Sequence, residues 1–131
     1  IRLSLVGSEM CIRDRSDRDA IRTATARLQE GWATGVFLDG TRQADGRVNQ
    51  PLPGAALLSA HSGAPLLPVA IVNSHRALGT GRTWPRLVPI QLRIGDLVPP
   101  PTGRRRTDLD ATTAELQRRI NALLDQAGPR P

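Results

Sequence analysis

Apolar positions change period several times along the chain. Ile21, Ala24 and Leu28 recur at helical spacing. Ser16 ahead of them offers a cap, and Asp17 and Asp19 suit the positive end of a helix. The pattern predicts a helix from Ser16 to a stop at Gly31. Residues 34–38 form a short apolar run, the signature of a buried strand. Residues 39–53 hold Gly40, Gly46, Pro51 and Pro53 and read as a long loop, a class that often carries function. Residues 54–61 predict a short buried helix closed by Gly63, and residues 65–72 a second buried strand. Residues 73–85 read as loop. Val88, Ile90, Leu92 and Ile94 then alternate with Pro89, Gln91 and Arg93, which predicts a half-exposed strand near a sheet edge. After a stiff basic linker over residues 99–106, Thr107, Asp108 and Asp110 open a last helix. Its apolar stripe runs Leu109, Leu116, Ile120, Leu123, Leu124 and Ala127.

The order helix, strand, helix, strand, strand, helix predicts an α/β fold, a central sheet flanked by helices. Buried strands with no N-terminal partner suggest that part of this sheet is missing. Residues 1–15 differ in character from the rest of the chain. They start without Met, and they hold the one Met (Met10) and the one Cys (Cys11) of the chain. They also resemble a leader that recurs on unrelated environmental sequences. We therefore expect residues 1–15 to be an extraneous leader and residues 16–131 to be the folded part.

Composition sharpens this picture. At 131 residues the chain is one domain or a piece of one. Its aromatic residues are only Trp32, Trp84 and Phe37, so the core must be built from Leu, Val, Ile and Ala. A single Cys excludes an internal disulfide. No run approaches the roughly 18 apolar residues of a membrane-spanning helix. The net charge is +6 and the pI about 11.5, and the basic excess survives without the first fifteen residues. All 18 basic residues are Arg. A GC-rich genome explains the absence of Lys more simply than selection for phosphate contacts, although Arg is the better fork for phosphate. In either case the positive field favours anionic partners.

The stretch with most chemistry is Phe37-Leu38-Asp39-Gly40-Thr41-Arg42. Ligands in open α/β sheets sit beyond the carboxyl ends of strands. Here an apolar run ends in an acid, a Gly that lets backbone approach a ligand, a hydroxyl and a guanidinium suited to phosphate. Asp39 would repel a phosphate. Its carboxylate is better placed to accept hydrogen bonds from Arg42 or from backbone N–H groups and hold the loop in shape. On these residues alone, a simple Asp-Gly turn with a solvated Arg explains the stretch somewhat better than a phosphate site.

The wider context resembles the glycerophosphate acyltransferase superfamily, specifically its 1-acyl-glycerol-3-phosphate acyltransferases. Their third motif, Phe-Pro-Glu-Gly-Thr-Arg, is similar to residues 37–42. The family's Asp-Gly loop, Gly-Ala helix and Pro-Val strand are similar to Ala44-Asp45-Gly46, Gly54-Ala55-Ala56 and Pro65-Leu66-Leu67-Pro68-Val69. A later strand ending in Ile-Gly before a Pro is similar to Ile94-Gly95 and Pro99, so the resemblance runs from about Ser16 to Leu124. It implies transfer of an acyl group from an acyl-coenzyme A or acyl-carrier-protein thioester to the free hydroxyl of a lysophospholipid. The resemblance further implies a peripheral enzyme on the cytoplasmic face of the inner membrane, with no cofactor beyond the thioester co-substrate and no nucleic-acid partner. Asp39, Gly40, Thr41 and Arg42 correspond to the family's substrate-binding third motif, with Gly40, Thr41 and Arg42 its acceptor-phosphate residues, and Pro68 to a residue lining the acyl-side pocket. Arg15, flanked by Ile12, Arg13 and Asp14, falls where the family's second-motif Arg stands.

The chain departs from the family in four places. The family's general base is the His of a His-x-x-x-x-Asp motif. Here His61 is followed five residues on by Leu66 and His75 by Thr80, so the fragment is expected to be inactive alone. Asp39 stands for Glu, Leu38 for Pro, and Pro53 for a frequent Lys or Arg. His61 reads as a helix-end residue and His75 as a loop residue able to face the site. No His or Cys spacing suits a metal, and Arg104, Arg105 and Arg106 read as a solvated linker. A second class remains open, a small basic α/β module that binds nucleic acid or another anion. The scarcity of aromatics for base stacking counts against it.

Overall fold

The computed structural model describes residues 2–5, 15–41, 43–77 and 84–126, with side chains from residue 18 onward. Its elements are β1 (Arg2–Leu5), α1 (Arg15–Gln29), β2 (Trp32–Gly35), α2 (Gly54–Ser62), β3 (Val69–Val72), α3 (Ser74–Ala77), β4 (Gln91–Ile94) and α4 (Arg106–Asp125). The α/β class read from the sequence holds. The sheet is present as two ladders among the described residues: β1 runs parallel to β2, and β3 runs antiparallel to β4. The first fifteen residues, expected to be extraneous, supply β1 and the start of α1.

Helix α1 begins at Arg15, one residue before the expected Ser16 cap, whose side chain lies outside the described residues. Its Ala24 is fully buried, with Ile21 and Leu28 half-buried on the same stripe. In its last turn, the Arg27 guanidinium sits 5.4 Å from the ring centroid of Trp32 in β2, a cation–π contact joining helix to strand. The predicted strand over residues 34–38 is displaced. Strand β2 ends at Gly35, and Phe37 lies outside it with 74% of its surface exposed. The apolar run is split because Leu38 turns inward to the core and is fastened across the loop, its carbonyl accepting the Leu52 N–H at 2.8 Å.

Helix α2 matches its prediction, with Ala55, Ala56, Leu58 and Ser59 buried and the chain closing at Gly63. The expected buried strand over residues 65–72 is shorter and only half-buried: Ala70 and Val72 face inward, Val69 and Ile71 outward. A bridge between Leu66 and Val98 extends the β3–β4 ribbon. The stretch read as loop after β3 contains α3, entered through Asn73 at a positive φ of 67°. Asn tolerates that conformation, and its Nδ2 donates to Pro89 O at 3.0 Å.

Strand β4 covers less than predicted, and its burial is inverted. Leu92 and Ile94 are 67% and 66% exposed, whereas Gln91 and Arg93 are half-buried. Helix α4 lies on the inner side of the ribbon, where Arg93 Nη1 donates to Leu123 O at 3.4 Å. At Gly95 the ribbon comes so close to α4 that a Cβ would stand 3.3 Å from Leu123 Cδ1. The Thr107 cap is not used either. Arg105 is the cap residue, and Asp108 lies in the first turn, where its charge suits the helix end. Leu116, 4% exposed, packs with Leu38, Ala55 and Val98, joined by Val48, Leu66 and Ile120. Ala127 lies outside the described residues.

Candidate functional site: a loop tied to the last helix

Residues 39–51 leave the core at Leu38 and close on the exposed Leu52, whose N–H bonds back to Leu38 O, with Asp39 and Pro51 bridged at the mouth. The Asp39 carboxylate spans this mouth. Its Oδ2 accepts the Asn49 N–H and its Oδ1 the Gln50 N–H, both at 3.2 Å. It therefore holds the loop's returning segment through backbone N–H groups.

A second acid shapes the far side. Asp45 Oδ1 accepts the Arg47 N–H at 3.0 Å, an Asx turn, and both its oxygens accept from Asn49 Nδ2 at 3.1 Å. The Arg47 N–H and then the Asn49 amide hold the Asp45 carboxyl below the usual carboxylate range. At the turn, Gly46 has φ +70°, and the His75 ring leaves no room there for a Cβ. His75 thus packs α3 against the loop rather than standing free in it.

Helix α4 completes the fastening. Asn121 Oδ1 accepts the Val48 N–H and Asn121 Nδ2 donates to Val48 O, both at 3.0 Å. Gln117 Nε2 donates to the same carbonyl at 2.9 Å. Arg47 forms a two-pronged pair with Asp125, at 2.5 and 3.1 Å. That pairing lowers the Asp125 carboxyl and raises the Arg47 guanidinium. The sequence pattern did not single out these three α4 residues. Their signal was a polar row at i, i+4 and i+8 beside the apolar stripe.

Between its anchors the loop presents Gly40 and Thr41 to solvent. At Gly40 the nearest side chain is Leu52, whose Cδ1 would stand 2.8 Å from a Cβ. Arg42 lies outside the described residues. Arg15 is the first residue of α1, and its side chain also lies outside them. Pro68 is less than 2% exposed, within 3.6 Å of the Cβ position of Gly95. It presents almost no surface on which a pocket could form. His61 is exposed in the last turn of α2. Its Nδ1 lies 2.8 Å from Leu57 O and donates to it, a helix-end role. An open groove of about 480 Å³ between α1 and α2 includes His61, Arg18 and Arg22 but none of the loop residues.

No family model matches the chain, and no curated protein matches it. Among solved structures, the crystal structure of the 1-acyl-sn-glycerophosphate (LPA) acyltransferase PlsC from Thermotoga maritima is similar, with a TM-score of 0.73 and 24% identity. The match covers 86% of this chain and 47% of that one, so the chain spans about half the length of its structural neighbour. The chain thus shares the fold of part of that acyltransferase.

Proposed function

We propose that this chain is the acceptor-holding part of a glycerolipid acyltransferase, and that its 39–51 loop receives the phosphate of 1-acyl-glycerol-3-phosphate. The observation that carries this reading is the coincidence of two independent facts. The fold is similar to that of a lysophosphatidate acyltransferase. In that fold, the segment that resembles the family's third motif is a pinned loop with its Gly-Thr turn facing solvent. Thr41 offers a hydroxyl and Arg42 a fork of donors for the phosphate oxygens, while Asp39 is occupied in holding the loop and does not face the anion.

In the complete reaction the acceptor's free hydroxyl attacks the carbonyl carbon of an acyl thioester. The C–S bond breaks and the thiol leaves, carrying coenzyme A or the carrier protein. A general base takes the hydroxyl proton. That base is the His of a His-x-x-x-x-Asp motif, which these 131 residues do not contain. This chain then contributes binding and orientation only. The net charge of +6 favours an anionic lipid surface, and we place the protein peripherally at the inner face of the membrane. No helix among the described residues is long and apolar enough to cross a membrane.

Calorimetric titration of the chain with short-chain 1-acyl-glycerol-3-phosphate tests the reading. Arg42→Ala is expected to weaken binding by about 10- to 100-fold, the range of a charge-assisted bidentate contact. Equal affinity in the two proteins would remove Arg42 from the phosphate site. Salt-dependent binding of DNA, with none of the lysophospholipid, would instead support a basic binding module.

A further inference from the structure

Three side chains spaced one turn apart on α4 reach one short segment of the loop. Gln117 and Asn121 bind Val48, and Asp125 binds its neighbour Arg47. Asn121 treats Val48 as a paired strand would, taking its N–H and giving to its C=O. The Val48 side chain meanwhile packs against the core cluster. A loop of this length without secondary structure loses substantial chain entropy when ordered, and something must offset that loss. Its mouth is held by Asp39, and its returning half, at Arg47 and Val48, is held from outside by α4. Gly40 and Thr41 lie between the two anchors.

We infer that Gln117, Asn121 and Asp125 are positioning residues that hold the loop in its ligand-receiving shape, so that α4 sets the phosphate affinity of a site it does not line. This inference rests on the phosphate reading of the loop given above. Asn121 is the central member, because it alone serves both polar groups of Val48.

The test uses the full chain, with glycerol 3-phosphate as the probe. Two quantities are read: amide exchange of Val48, Asn49 and Gln50 without ligand, and the dissociation constant. In Gln117→Leu/Asn121→Leu, exchange at all three amides is expected to rise and affinity to fall, each about tenfold, with the helical circular dichroism retained. Asn121→Asp separates positioning from mere packing. The ionised carboxylate accepts the Val48 N–H but cannot donate to Val48 O, whereas the protonated acid does both. Arg47 beside the position stays charged while Asp125 and Asp45 titrate, in both proteins alike, so the variant is compared with the wild type at each pH. Its affinity deficit is expected to shrink as pH falls through the carboxyl range, about 4–5. Unchanged exchange in the double variant, with binding intact, overturns the clamp alone. Wild-type chain that does not bind glycerol 3-phosphate overturns the phosphate reading, and the positioning role with it.

Discussion

Replacing Asp39 by Ala removes the acceptor of two backbone N–H groups at once. Both bonds are 3.2 Å long, at the outer limit of good N–H···O geometry, and both reach loop amides that water can solvate once the loop opens. Each is therefore worth about 0.5–1 kcal/mol, below the usual range for a charged acceptor. The Leu52 N–H to Leu38 O bond at the mouth survives the change, so the loop loosens without detaching. The sum is about 1–2 kcal/mol, which in a domain of this size lowers Tm by roughly 4–8 °C. Asp39→Asn keeps one acceptor oxygen but sets an NH₂ against the second N–H, so it is expected to recover less than half of the loss. Thermal melts followed by circular dichroism give the size of the effect. Amide exchange at Asn49 and Gln50 gives its location. If Tm stays within about 1 °C of wild type and both amides exchange at the wild-type rate, the carboxylate does not shape the loop and the assignment of Asp39 to structure fails.

Leu116→Ala, at the centre of the buried cluster, is expected to cost about 2–4 kcal/mol by urea unfolding with an unchanged m-value. Asp45, Asp125 and Glu115 all have folded carboxyls depressed below their ordinary values, Asp45 by the Arg47 N–H and Asn49, Asp125 by Arg47, and Glu115 by Arg119 and Arg118. Such groups stabilise above their unfolded pKa, and the effect is lost as pH falls through the folded one. Tm should therefore be level above about pH 5 and fall below about pH 4, more shallowly in Asp125→Asn. Leu92→Lys/Ile94→Lys places charges where the side chains are already mostly exposed. It should leave stability within about 1 kcal/mol of wild type while lowering the binding of a hydrophobic dye.

What the sequence revealed depended on how local the deciding contacts are. Helix α2 and the stripe of α4 were legible, because a helix announces itself by residues three and four apart. The loop-shaping role of Asp39 was legible too, since a carboxylate that would repel a phosphate is free to accept loop N–H groups instead. The clamp was not. Val48 and Asn121, and Arg47 and Asp125, stand 73 and 78 residues apart, and no periodicity links them. Phe37 failed for a related reason. It reads as part of an apolar strand, but Leu38 has a place in the core and Phe37 does not, and the backbone turns between them.

Strand β4 shows how far alternation can go. Period-two patterning correctly separates Leu92 and Ile94 from Gln91 and Arg93, yet it assigns the apolar pair to the inside. Which face goes inward is decided by the helix that covers it. Here α4 crosses on the side of Ala70 and Val72, opposite Arg93 and Gln91, where a small Ala and the missing Cβ of Gly95 let the helix approach. Arg93 is tolerated there because it donates to the Leu123 carbonyl in the last turn of α4, where a cation also meets the negative helix end. Val69, Ile71, Leu92 and Ile94 are left together on the other face, Val69 and Ile71 partly exposed and Leu92 and Ile94 mostly so. A face of four aliphatic side chains with this much exposure is the reverse of what an antiparallel ribbon with one wet side normally shows. The alternation therefore carries a preference for burial that the described residues satisfy on only one side.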